Sequence, residues 1–154
     1  VATKVAFEFD PFELVGRDRS EATQEQRRQI LDQVANYVLE SVLSDVGDSR
    51  SPVTGRPFKK LDSDYAKQKR SEGGTPVANL LLGGDLLDSL LVRKKGEKLI
   101  LTVSEDQMGK ADGHNNFSGD SPLPRRQFVP EEDETFRPAI RAGIEAIIDD
   151  VLGG

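Results

Sequence analysis

The sequence predicts an α+β domain, in which a small antiparallel sheet of three to four strands packs against a long N-terminal helix and a C-terminal helix, with long loops between them. Three patterns predict it. Lys4 to Phe9 alternates, with Val5, Phe7 and Phe9 on one face and Lys4, Ala6 and Glu8 on the other, the period of a half-buried strand. Ile30, Leu31, Val34, Val38, Val42 and Val46 recur at helical spacing, and so do Phe136, Ile140, Ile144, Ile147, Ile148 and Val151. Leu91 to Lys94 and Lys98 to Val103 flank Lys95-Gly96-Glu97, the signature of a hairpin with a short glycine turn. At 154 residues, 1–154 reads as a single domain. Leu, Ile, Val and Phe supply 42 of those residues, well above the level of roughly 20% below which a chain cannot bury enough apolar surface to offset its ordering entropy.

Taken in order, Asp10-Pro11 ends the first strand, because proline has no donor for the ladder. Phe12, Leu14 and Val15 are positioned to anchor the connection before Gly16. Thr23-Gln24-Glu25-Gln26 has the form of a capping box, and a helix is expected over 22–46 with Gly47 as its C-cap. Residues 48–61 carry turn formers and basic side chains without periodicity, so a loop is expected. A short helix is predicted from Asp64 to Arg70, and another of one or two turns after Gly83-Gly84-Asp85, through Leu90. Ser104 to Pro130, rich in Gly, Asn and Pro, reads as a long loop of the kind that is either functional or disordered. The C-terminal helix is expected to start near Thr135, with the acidic run Glu131 to Glu134 at its N-terminus and Pro138 inside its first turn.

Composition excludes several chemistries. There is no cysteine, hence no disulfide, thiolate metal site or cysteine nucleophile, and no metal or cofactor is expected. A formal charge of −6 argues against a dedicated nucleic-acid binder. The longest apolar run, Leu80-Leu81-Leu82, is far short of the ~20 residues of a membrane helix. Val1 to Val5 lacks the apolar stretch of a signal peptide, so a soluble cytoplasmic or virion-type domain is expected. The lone His114, with Asp112 and Asp120 nearby, leaves a small metal-dependent hydrolase or nuclease as the alternative, although the spacing matches no metal motif. No serine sits in a nucleophile elbow, and no catalytic residue is assigned.

Charge and stiffness point instead to contacts. Arg50, Arg56, Lys59, Lys60, Lys67, Lys69 and Arg70 form a basic stretch, whereas Glu131–Glu134 and Asp149-Asp150 concentrate negative charge later in the chain. Such a basic stretch can bind phosphates, making a nucleic-acid module a second rival, or it can meet the acidic region of a neighbouring copy head to tail. In Leu123-Pro124-Arg125-Arg126-Gln127-Phe128-Val129-Pro130, prolines on both sides favour an extended backbone. That string reads either as a rigid lead-in whose Phe128 and Val129 plug the core, or as an interface arm.

The order of these features resembles the tail-completion or virion-morphogenesis proteins of tailed bacteriophages, a group that includes neck and tail-terminator-like components. The strings that carry the resemblance are Thr54-Gly55-Arg56-Pro57-Phe58-Lys59-Lys60-Leu61, Asp64-Tyr65-Ala66-Lys67-Gln68-Lys69, Leu81-Leu82-Gly83-Gly84-Asp85-Leu86-Leu87-Asp88-Ser89-Leu90, Ala111-Asp112-Gly113-His114-Asn115-Asn116 and Pro124-Arg125-Arg126-Gln127-Phe128-Val129-Pro130, within residues 22–151. The resemblance implies a non-enzymatic α+β virion protein that assembles as a ring, hexameric or dodecameric, at the head–tail junction or tail end after assembly in the host cytoplasm. Its implied partners are copies of itself, connector or portal-side neck proteins and tail tube or terminator proteins, with DNA only as passing cargo. Carried over by position, His114, Asn115, Arg125, Arg126 and Phe128 are implied to determine fold or assembly. Arg56, Phe58, Lys59 and Lys60 join them as expected interface residues, on extended loops at 48–61 and 105–130.

Overall fold

The computed structural model describes residues 5–57, 88–115, 127–131 and 133–153. The chain is α+β, and its sheet is built around a central strand. That strand, β3 (Lys98–Val103), lies between β1 (Ala6–Phe9) and β2 (Leu90–Lys95), antiparallel to both. Phe7 faces Leu101 and Phe9 faces Leu99 across one ladder, while Lys95 faces Lys98 across the other. The hairpin closes through Gly96-Glu97, with the positive φ of +61° at Gly96 that a two-residue turn of the II′ kind requires at its first position. Leu90, expected at the end of a short helix, is instead the first residue of β2. The rest of that helix before Asp88 lies outside the described residues, as does the helix expected over 64–70.

Between β1 and the long helix come α1 (Pro11–Leu14) and a single 3-10 turn at Arg19–Glu21. Asp10 caps α1 by accepting from the Phe12 N–H, and proline occupies the first turn, where its missing donor costs nothing. The long helix, α2 (Gln24–Gly47), starts from the predicted capping box: Thr23 Oγ1 accepts from Gln26 N at 3.1 Å, and Gln26 Oε1 accepts from Thr23 N at 2.9 Å. Its end departs from expectation. Gly47 is still helical and Asp48 is the C-cap. The left-handed residue is Ser49, at φ +58°, with Ser49 N donating to Val46 O and Arg50 N to Asp45 O. That pair of bonds is a Schellman closure, built here without the glycine that usually serves it.

The stretch expected to be an irregular loop after β3 contains a 3-10 turn (Glu105–Gln107) and α3 (Met108–Asn115). Gly109 and Gly113 hid this helix, since glycine lowers intrinsic helix propensity by about 1 kcal/mol each. Tertiary contacts override them: Ala111 and Asn115 are fully buried one turn apart, and Met108 packs against the core. The C-terminal helix, α4 (Pro138–Gly153), begins three residues later than expected, with Pro138 at its first position. The acidic run therefore lies ahead of the helix. Within it, Glu134 Oε1 accepts from Glu131 N at 3.0 Å, closing a turn.

The core lies between the inner sheet face and the two long helices. Val5, Phe7, Phe9, Leu99, Leu101 and Val103 meet Ile30, Val34, Val38 and Val42 of α2 and Ile140, Ile144 and Ile148 of α4. Phe136 sits edge-on to both Phe7 and Phe9, with ring centroids 5.4 and 5.6 Å away. Each such buried side chain contributes about 1.5–3 kcal/mol of transfer free energy. Helices α2 and α4 approach closely at Gly143, where a Cβ would stand 1.9 Å from the Tyr37 hydroxyl.

Candidate assembly surface

The residues singled out by sequence fall into three groups. Asn115 and Phe128 lie inside, both fully buried. Asn115 Oδ1 accepts from Phe128 N at 3.0 Å and from Val129 N at 2.9 Å, while its Nδ2 donates to Ala111 O at 2.9 Å. The lead-in reading of the 123–130 string therefore holds for Phe128 and Val129: they plug the core and are not presented as an arm. Asn115 and Phe128 are thus joined in the interior. Arg56 is exposed, at the end of a turn. Phe58, Lys59, Lys60, Lys67, Lys69, Arg70, Asp120, Arg125 and Arg126 lie outside the described residues, and so do the side chains of Asp112 and His114, whose backbone runs in α3.

The described part of the 48–61 loop is a packed turn, not a free arm. Ser51 Oγ accepts from Val53 N and Thr54 N and donates to the carbonyl of Gln127 at 2.8 Å, tying this turn to the 127–129 segment. Arg137 completes the closure. Its N–H donates to Pro52 O, its side chain lies against Gly55, and its guanidinium holds Asp45 through Nε–Oδ2 at 2.8 Å and Nη2–Oδ1 at 3.0 Å. Hydrogen bonding to Asp45 pushes the Arg137 pKa above its ordinary value. Asp45 sits in the last turn of α2, where a carboxylate opposes the helix dipole, and Arg137 offsets that cost.

Two charged surfaces turn away from the core. The outer sheet face follows from register: Leu91, Arg93 and Lys95 of β2 share it with Lys98, Ile100 and Thr102 of β3 and Ala6 and Glu8 of β1. Ile100 is buried, yet it lies outside the core cluster. An open hollow of about 500 Å³ lined by Ala6, Glu8, Arg93, Lys94, Lys95 and Ile100 lies here. Lys95 approaches Glu8 at 3.7 Å, and Arg93 and Lys98 make no ion pair among the described residues. Glu97, at the hairpin tip, is engaged by Arg19 at 2.8 Å and Arg27 at 3.2 Å. These pairs pin the hairpin to the start of α2.

The second surface is the outward face of α4, with Pro138, Ala142, Ala146, Asp149 and Asp150 exposed. Asp149 pairs with Arg17, which also reaches Glu21 at 3.3 Å and Glu145 at 3.9 Å. The hydrogen bonds to Asp149 and Glu21 raise the Arg17 pKa.

Sequence reasoning missed both the cationic sheet face and the Asp45–Arg137 pair. For the sheet, the signal was present in the hairpin, since Arg93 and Lys95 alternate onto one face and a two-residue turn at Gly96-Glu97 sets Lys98 opposite Lys95. For the ion pair there was none, because 92 positions separate the partners. Among the described residues, no group of three or more His, Asp or Glu is placed to hold a metal ion, and no helix is long and apolar enough to cross a membrane. No family model, curated protein or solved structure matches the chain.

Proposed function

We propose that this chain is a structural virion protein that assembles as a ring in the phage neck or at the tail end, completing the tail or joining it to the head. The observation that carries the proposal is the Asn115 clamp. Two of the strings on which the resemblance rests, one ending in His114-Asn115-Asn116 and the other in Phe128-Val129-Pro130, meet in the interior through two hydrogen bonds to a single side-chain oxygen. Their order in the chain thus has a structural use: a short helix and an extended segment close over the core together. The charge of −6 is compatible with a conduit, since a negative lumen repels DNA and lets it slide. Contacts repeated around a ring need not be tight singly, because multivalency multiplies their strength.

The test is light scattering and electron microscopy of the purified chain, alone and mixed with phage tails lacking it. A ring seated at the head–tail junction or the tail end is expected. Particles that carry the chain anywhere else, or tails that never take it up, overturn the proposal.

A further inference from the structure

Lys95 and Lys98 stand directly opposite each other across the β2–β3 ladder. Like charges at such a position destabilise a hairpin, and the neighbouring carboxylate that could relieve them, Glu97, is engaged by Arg19 and Arg27. Arg93, two residues along on the same face, adds a third cation, and Glu8 is the one acidic side chain that the register places among them. Leu91 on this face is partly exposed, and the open hollow runs beside Ile100, which is itself buried. A surface on which Lys95 meets Glu8 while Arg93 and Lys98 make no ion pair among the described residues matches a protein contact whose opposite side is acidic.

This chain carries such an opposite side itself. The outward face of α4 offers small side chains at Ala142 and Ala146, which permit close approach, followed by Asp149, which also pairs with Arg17, and by the exposed Asp150. Ile140, Ile144 and Ile148 of α4 and Phe7, Phe9, Leu99 and Leu101 of the sheet all point into one core, so both charged faces look outward from it. Joined between molecules they make a heterologous interface, the kind that closes into rings.

We infer that the cationic outer face of the sheet, with Arg93, Lys95 and Lys98 around Ile100, docks the outward face of α4, with Asp149 and Asp150, of a second copy of this chain. The inference deepens the ring reading and rests on it, naming the surfaces through which neighbouring subunits meet.

The test is sedimentation of the full chain and two charge-reversed variants, Arg93→Glu/Lys98→Glu and Asp149→Lys/Asp150→Lys, each checked by circular dichroism for an unchanged fold. The natural chain is expected to self-associate at about 50 mM salt and at least tenfold more weakly at about 500 mM, as screening shortens the reach of the charges. Each variant alone is expected to lose association at least tenfold. Mixed one to one, they recover it, because every sheet–helix contact between unlike variants again joins opposite charges. A natural chain that stays monomeric, a folded variant that associates as well as the natural chain, or a mixture that fails to recover overturns the inference. It is equally overturned if the sheet variant loses binding to duplex DNA while self-association is unchanged. Seating of the chain at the junction in electron micrographs reads the ring proposal separately, so these surfaces can fail while that proposal stands.

Discussion

Asn115 holds Phe128 in place from 13 positions away in the chain, its side-chain oxygen accepting the Phe128 amide at 3.0 Å. The same oxygen takes the Val129 amide, and the side-chain nitrogen returns to the Ala111 carbonyl. All of these groups are buried, so removing the acceptor orphans two N–H groups, each at about 1–3 kcal/mol. Asn115→Ala is therefore expected to lose about 3 kcal/mol in urea unfolding. A loss below about 1 kcal/mol would show that water replaces the clamp.

The Asp45–Arg137 pair yields an asymmetric expectation. Arg137→Met leaves a buried carboxylate without its partner, which costs about 3 kcal/mol or more. The double variant Asp45→Leu/Arg137→Met removes the charge as well and is expected to regain most of that loss. Thermal unfolding of these two proteins, of Asp45→Leu alone and of the natural chain forms a double-mutant cycle. Additive losses in that cycle would mean that the two side chains are not energetically coupled.

Ser49 occupies a left-handed conformation at the end of α2. A side chain there costs about 1–2 kcal/mol, part of which glycine gives back through its larger unfolded-state entropy. Ser49→Gly is expected to raise stability by about 0.5–1 kcal/mol, read as a higher midpoint in urea. A lowered midpoint would argue that the serine hydroxyl contributes to the closure.

Gly143 and Tyr37 set the approach of α2 to α4. Gly143→Ala gains about 1 kcal/mol of helix propensity. It also places a methyl group where the Tyr37 hydroxyl and ring lie, within 1.9–2.7 Å of three of its atoms. Overpacking of this kind costs about 1–3 kcal/mol. The substitution is expected to destabilise the natural chain but to stabilise a Tyr37→Ala background, and calorimetry of the four proteins distinguishes that sign change from simple additivity.

Much of this architecture was legible in the sequence, and the reasons differ from element to element. The Ile and Val stripe of α2 and the alternation of β1 and β3 are local patterns that state which face is buried. Thr23 and Gln26 announce the helix start because their partners lie three residues apart. Helix α3 was illegible, since its two glycines speak against a helix and the support at Ala111 and Asn115 arrives from distant segments. The Schellman closure misled in the other way: Gly47 looked like the stop, yet the chain turns at Ser49. The charged surfaces were only half-visible, as alternation reveals which side chains share a face but not which carboxylate has already been claimed.

The ring of Phe136 against Phe7 and Phe9 has a consequence for biogenesis. Synthesis reaches Phe136 long after β1 and α2 have left the ribosome, so a growing chain displays two phenylalanines and a valine stripe with nothing to cover them. Until α4 arrives, the emerging polypeptide is sticky, and chaperones or slow handling at low temperature should raise the yield of usable subunits.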